Sequence, residues 1–251
     1  MSRIPALSIV IPACNERVRL PRSMAAILAW LDAHALDAEL ILSDDGSLDG
    51  TPDLIQDAAR QDRRVVPVLG QRNRGKGAAL RAGVARSRGA SVLFFDADLS
   101  YPLDAIDQAL DRLATGADLV IGARDLAAGH AGYPLLHRAA TTSFHLLVER
   151  ALGLGIRDTQ CGFKAFRGDV ARPLFAALTV DRFAFDVELL VLARHWQLRI
   201  GLLPIAMTHA AGSSVRLGHD SLRMLVDIAR IRRRMIARKL PPPPAASQPL
   251  P

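Results

Sequence analysis

Five short apolar runs organise the first half of the chain: Leu7–Pro12, Glu39–Ser43, Val65–Leu69, Ser91–Phe95 and Asp118–Gly122. Their length and continuity predict strands covered on both faces. Between them, Pro21–His34, Thr51–Gln61, Gly77–Ser87 and Leu103–Ala114 are predicted helices. Strands alternating with helices imply an α/β fold with a mostly parallel sheet flanked by helices. Ligands of such sheets sit beyond the C-terminal strand ends. Here those ends carry Pro12–Glu16, Asp44–Ser47, Asp96–Asp98 and Arg124, so the polar clusters fall on one edge.

The second half is less regular. Helices are predicted over His137–Leu152 and Phe185–Gln197, a late strand over Ile200–Met207 and a final helix over Asp220–Arg238. From Leu240 onward six of twelve residues are proline, which predicts a disordered tail. The expected organisation is one domain over 1–239, followed by the tail at 240–251. Residues 7–125 form its first part; 126–239 form a second part ending in a basic helix.

Half the residues are apolar, which excludes disorder for most of the chain. No apolar run approaches a bilayer-spanning length. The first strand begins at Leu7, leaving no room for a secretory signal, and Cys14 and Cys161 form neither a disulfide framework nor a zinc site. A reducing cytosol is the expected compartment. The net charge of +7 points to an anionic partner. From Arg216 to Lys239 eight basic residues face two acidic ones, so almost the whole excess lies near the C-terminus. Nucleic acid is not expected, because no stacking aromatics interleave with the basic residues.

Asp96-Ala97-Asp98 closes the fourth strand. Two carboxylates two residues apart make an oxygen-rich corner suited to a hard divalent cation, which can hold a diphosphate. Asp is also common in turns, so the pair alone leaves both readings open. The same ambiguity holds for its neighbours. Asn15 and Glu16 serve equally as a helix cap and first-turn residue, and Asp44–Thr51 as a tight turn into the next helix. Arg72-Asn73-Arg74-Gly75-Lys76-Gly77 precedes a helix, where amides and Lys76 could face phosphate, or form a solvated basic loop.

The order of the clusters is more informative. P-x-x-N-E, DDGSxDGT, N-x-G-K-G, DADLS and IGAR, spanning residues 7–125, resemble the inverting family 2 glycosyltransferases of GT-A fold. The later strings Arg157–Lys164, Phe185–Leu189 and Gly212–Arg216 resemble the branch that glucosylates dolichyl or polyprenyl phosphate. The resemblance implies that Pro12 and Glu16 line the nucleotide pocket, with Asp45 on the base or ribose. It implies Asp96, Ala97 and Asp98 around Mg²⁺ or Mn²⁺ and the diphosphate, and Arg216 closing over the donor. Arg124 and Arg138 would face the acceptor phosphate, near Thr142. Cys14 stands where relatives often have an aromatic residue, and Ser100 where some mannosyl-transferring relatives have Gln.

A phosphate acceptor is already anionic, so positioning it matters more than a strong base. Arginine suits that task through bidentate bonding. Asp158 is then a base or an organiser of the TQCGFK loop. The expected reaction is glucose transfer from UDP-glucose to polyprenyl phosphate, peripherally at the cytoplasmic membrane face. GDP-mannose as donor, a soluble acceptor, and a non-catalytic nucleotide-sugar-binding subunit are the alternatives. In the last helix, Arg223, Arg230 and Arg234 share one side. Leu222, Leu225, Val226, Ala229 and Ile236 share another, extended by Met224, Ile228, Ile231 and Met235. Such a helix docks on the core, lies on anionic lipid, or does both with different faces.

Overall fold

The computed structural model describes residues 4–124, 148–156, 158–206 and 219–244. Strands β1 (Leu7–Ala13), β2 (Ala38–Asp44), β3 (Val65–Leu69) and β4 (Ser91–Phe94) alternate with helices α1 (Leu20–Ala33), α2 (Thr51–Gln61), α3 (Lys76–Arg86) and α4 (Ala105–Ala114). Then follow β5 (Leu119–Arg124), β6 (Lys164–Arg167), α5 (Gly168–Ala176), α6 (Phe185–His195), β7 (Ile200–Ile205) and α7 (His219–Ile236). The first-half elements match the sequence pattern to within two residues at each end.

All seven strands share one sheet, in the order β3-β2-β1-β4-β6-β5-β7. Every pairing is parallel except those of β6, which runs antiparallel to both β4 and β5. Successive side chains of a strand point to opposite faces, and here both faces are covered. Val10, Ile41, Val92 and Phe94 join the core under α3, α5 and α6; Ile9, Leu40, Leu42, Leu93 and Phe95 join the core under α1 and α4. This two-sided burial is why the strands read as unbroken apolar runs.

The second half departs from the sequence expectation at three places. Neither β6 nor α5 was predicted. β6 is only four residues long and begins with a lysine, and α5 opens on Gly168 and contains Pro173. The Pro-rich segment does not detach at residue 240: Trp196 Nε1 donates to the Pro241 carbonyl at 2.9 Å, and Leu240 packs on the core. The apolar residues of α7 do not form one face. Ile228 and Ile231 are buried, with Met224 and Met235 packed beside them, whereas Leu225, Val226, Ala229 and Ile236 are exposed. Of the predicted helix over His137–Leu152, only 148–152 lie within the described residues, and they are helical. Among the described residues no helix is long and apolar enough to cross a membrane.

Because β5 runs parallel to β4 while β6 opposes both, Arg124 and the residues just before Lys164 reach the same edge as Asp96. Gly122 N donates to the Phe163 carbonyl at 2.9 Å, extending the ladder to that edge.

Candidate active site

Past the end of β4 the backbone turns sharply. Leu99 N donates to the Asp96 carbonyl at 3.2 Å, and Ser100 N donates to Asp98 Oδ1 at 3.1 Å. Leu99 takes φ 50°, a left-handed conformation that bulky residues rarely adopt. Strain of this kind persists only where surroundings impose it, often at ligand sites. Here the buried Ala97 helps impose it, its carbonyl accepting the Ser23 hydroxyl of α1.

Asp96 is held from two sides. Its Oδ1 pairs with Lys76 Nζ, at the first residue of α3, at 2.5 Å. Its Oδ2 rests against Gly162, so closely that a Cβ there would stand 2.3 Å from Oδ2. Gly162 N in turn donates to Tyr101 Oη at 3.0 Å. Burial pushes the Lys76 ammonium down, but Asp96, Asp186 and Asp98 together hold its pKa above the usual lysine value. Behind it lies a second cation. Lys164, fully buried, donates to Asp186 Oδ1 at 2.6 Å and to the Cys161 carbonyl at 2.7 Å. Burial lifts the Asp186 carboxyl, and Lys164 and Lys76 only partly offset that. A buried charge needs such partners, since an unpaired one costs several kcal/mol.

The loops after β1 and β2 are stitched together beside this corner. Asn15 N donates to Ser47 Oγ at 2.8 Å, Asn15 Oδ1 accepts Leu48 N at 2.9 Å, and Glu16 N donates to Thr51 Oγ1 at 2.9 Å. Glu16 binds Arg19 through both oxygens, at 2.7 and 2.6 Å. Its pKa is nevertheless raised, by burial and by the negative charges of Asp98 and Asp49. Glu16 and Asp98 therefore share one electrostatic environment. Pro12 sits opposite Ser43 in the β1–β2 register. Cys14 is half-buried, its Sγ accepting Asn73 Nδ2 at 3.0 Å.

Asp45 shapes the approach to Lys76. Its two oxygens accept Arg74 N at 2.9 Å and Gly75 N at 2.7 Å, fixing the turn that opens α3. Burial raises its pKa despite those bonds. At the far side of the edge, Arg124 meets Asp158 in a forked pair, Nε to Oδ2 at 2.6 Å and the second arm to Oδ1 at 2.7 Å. The Asp158 side chain is almost wholly buried.

The structure thus joins Glu16, Lys76, Asp96 and Asp98 by contact or by field, brings Asp45 to the turn that carries Lys76, and pairs Arg124 with Asp158. Arg138, Thr142 and Arg216 lie outside the described residues. Gly162, Tyr101, Ser23, Lys164 and Asp186 shape the site without having been assigned roles from sequence. A glycine between Cys161 and Phe163 was the visible sign of a close approach; the lysine–carboxylate chain had none.

The donor set suits a hard cation. The corner offers oxygen only, and among the described residues no salt bridge engages Asp98. No group of three or more His, Cys, Asp or Glu among them could enclose a metal. A cation held by one or two carboxylates, with water and phosphate oxygens completing its shell, is the arrangement such a corner accommodates.

The sheet order and the acidic corner at its edge define a GT-A glycosyltransferase fold. Mannosyl-3-phosphoglycerate synthase from Rubrobacter xylanophilus superposes with a TM-score of 0.69 at 18% identity, over 98% of this chain and 79% of that one. Glucosyl-3-phosphoglycerate synthase from Mycobacterium tuberculosis, solved with Mn²⁺, UDP-glucose and phosphoglyceric acid, gives 0.64 at 20% identity, over 91% and 80%. In sequence, a dolichyl-phosphate β-glucosyltransferase of Dictyostelium discoideum is 33% identical, over 92% of this chain and 75% of its own length. The family model for glycosyl transferase family 2 matches residues 8–175, and the chain belongs to that family.

Proposed function

We propose that this protein transfers glucose from UDP-glucose, with inversion, to the phosphate of a polyprenyl or dolichyl lipid, peripherally at the cytoplasmic face of a membrane. The observation that carries the reading is the Asp96–Asp98 corner, ringed by Glu16, Lys76 and the 158–164 segment, in a chain similar to the Dictyostelium dolichyl-phosphate enzyme. Asp96 and Asp98 would hold Mg²⁺ or Mn²⁺, the latter being the ion bound by the M. tuberculosis neighbour. Bound there, the cation supplies Lewis-acid stabilisation of the departing diphosphate.

The chain's own residues do the rest. Lys76 places a positive charge beside Asp96, where the diphosphate charge develops. Asp45 holds the turn that aims it. Arg124, aligned by Asp158, presents a positive charge to the acceptor side, and Arg138 and Arg216 are assigned to the acceptor phosphate and donor diphosphate. No residue needs to act as a strong base, because a phosphate monoester is already ionised at neutral pH. Asp158, committed to Arg124, is an organiser in this scheme.

The test is a donor and acceptor matrix. Purified protein with Mn²⁺ or Mg²⁺ is given UDP-glucose, GDP-mannose or UDP-N-acetylglucosamine, each with detergent-dispersed polyprenyl phosphate or with 3-phosphoglycerate. A β-linked glucosyl phospholipid is expected, abolished by EDTA and by Asp98→Ala. Preference for GDP-mannose, transfer only to 3-phosphoglycerate, or donor binding with no transfer would each replace this reading. Full activity in Asp98→Ala would sink the metal assignment.

A further inference from the structure

Helix α7 has three sides, and among the described residues only two of them have an occupant. Ile228 and Ile231 are buried, and Met224 and Met235 pack beside them against the core. A second side is tied down by polar contacts. Arg234 donates to the buried Glu188 carboxylate and, at 2.7 Å, to Thr179 Oγ1. With Asp227, Arg230 and Ile231 it lines a 540 Å³ groove whose opposite wall is Arg72–Arg74. That wall is the loop whose end Asp45 fixes, so α7 lies one groove away from the donor side of the site.

The third side faces outward. Leu225, Ala229, Arg232 and Ile236 recur at i, i+4, i+7 and i+11, with Val226 and Arg233 beside them. Leu225, Val226 and Ile236 are 40%, 46% and 71% exposed, three of the eight large exposed apolar residues described. Scattered singly such residues mean little, but three on one helix side make a patch. Basic residues border it: Arg223 and Arg230 on one flank, Arg232 and Arg233 within it, Arg238 and Lys239 beyond its end. Of these only Arg230 has an acidic partner among the described residues, Asp227 at 3.1 Å. An apolar strip edged by cations, with no carboxylate of its own, complements an anionic lipid surface. The strip can enter the acyl boundary while arginines extend to headgroups.

We infer that α7 is a membrane-binding helix, which seats the outward strip Leu225–Val226–Ala229–Ile236 in an anionic leaflet and so brings the nucleotide-sugar edge to the lipid surface. The inference deepens the polyprenyl-phosphate reading but does not need it, since adsorption requires neither donor nor acceptor. Arg234 and Glu188 act as its internal anchor. They fix the helix to α6, so the membrane meets the whole domain and not a loose tail.

Co-sedimentation with phosphatidylcholine vesicles, with and without one-third phosphatidylglycerol, tests this. The intact chain should pellet with the anionic vesicles only, and less at high salt. Each basic residue near such a surface contributes about fivefold in partitioning, so Arg232→Gln/Arg233→Gln should lower it about 30-fold. Val226→Asp/Ile236→Asp should abolish it. Both pairs are exposed, so circular dichroism and transfer to detergent-dispersed acceptor should be unchanged. Three results would overturn the inference: no pelleting, pelleting indifferent to these substitutions, or a dimer in solution that Val226→Asp/Ile236→Asp dissolves, which would assign the strip to a second copy. Vesicle binding without glycolipid formation would sink the proposed acceptor alone. Glycolipid formation without vesicle binding would sink this inference alone.

Discussion

Gly162→Ala puts a single methyl group where the site has no room for it. The new Cβ would lie 2.3 Å from Asp96 Oδ2, 3.0 Å from its Cγ and 3.4 Å from Tyr101 Oη. A carbon–oxygen contact relaxes to about 3.3 Å, so the carboxylate must retreat by about 1 Å. A shift of that size at a reacting centre costs on the order of 100-fold in rate, or about 2.7 kcal/mol of barrier. The stability cost is smaller. Overpacking costs about 1–3 kcal/mol, and Asp96 yields toward the low end because its side chain is 38% exposed. For a chain of this length that is a fall of about 2–4 °C in Tm. Glucosyl transfer measured as UDP release, thermal unfolding by circular dichroism, and Mn²⁺ affinity by electron paramagnetic resonance separate the effects. Transfer and Mn²⁺ affinity should both fall while the fold survives. Transfer within threefold of the parent would refute the coupling between Asp96's position and catalysis. A matched control is Gly122→Ala, whose methyl group would press on Cys161 and Ile205 in the core and so cost stability first.

Three further outcomes are expected. Lys164→Met strands the buried Asp186 carboxylate and should cost about 3–5 kcal/mol in urea denaturation, most of it recovered in Lys164→Met/Asp186→Leu; a single variant as stable as the parent would mean the pair is not load-sharing. Leu99→Gly removes a left-handed leucine and should leave stability equal or raise it by about 1 kcal/mol, while transfer falls as the corner loosens. Burial would lift Asp118, but Arg199 and Arg167 outweigh it and hold its carboxyl below the usual value. Its contribution is therefore complete at neutral pH and lost as pH falls through the folded-state pKa. The gap in Tm between parent and Asp118→Asn should be full at neutral pH and close below about pH 4; a gap independent of pH would contradict the assignment.

What the sequence disclosed follows from where the determining forces act. The β1–β5 framework was legible because two-sided burial writes itself as runs such as Val92-Leu93-Phe94-Phe95, and because the loops after those runs are polar. The acidic corner was legible for the same reason. The antiparallel β6 was not, since Lys164 looks like a surface residue until Asp186, distant in sequence, neutralises it. The inward and outward sides of α7 were not separable either. Met224 and Leu225 are equally apolar, and which one turns to the core is set by tertiary contacts, the burial of Ile228 and Ile231 and the Arg234–Glu188 pair. The second role of Asp45 was not legible either: besides the ligand contact expected of it, its two oxygens accept the amides of Arg74 and Gly75, which depends on a loop about thirty residues away.

The forked Arg124–Asp158 pair also closes the base of a chain excursion. Strand β5 leaves the sheet at Arg124, β6 enters it at Lys164 from the same edge, and the pair clasps the two crossings together. The two ends of the segment between them are therefore held at a fixed separation. Lengthening or exchanging such a segment adds only a slowly growing closure entropy and leaves the strand register untouched. The loops after β1, β2 and β4, which carry Glu16, Asp45 and the Asp96–Asp98 corner, lie outside that segment, so exchanging it alters neither their sequence nor their strands.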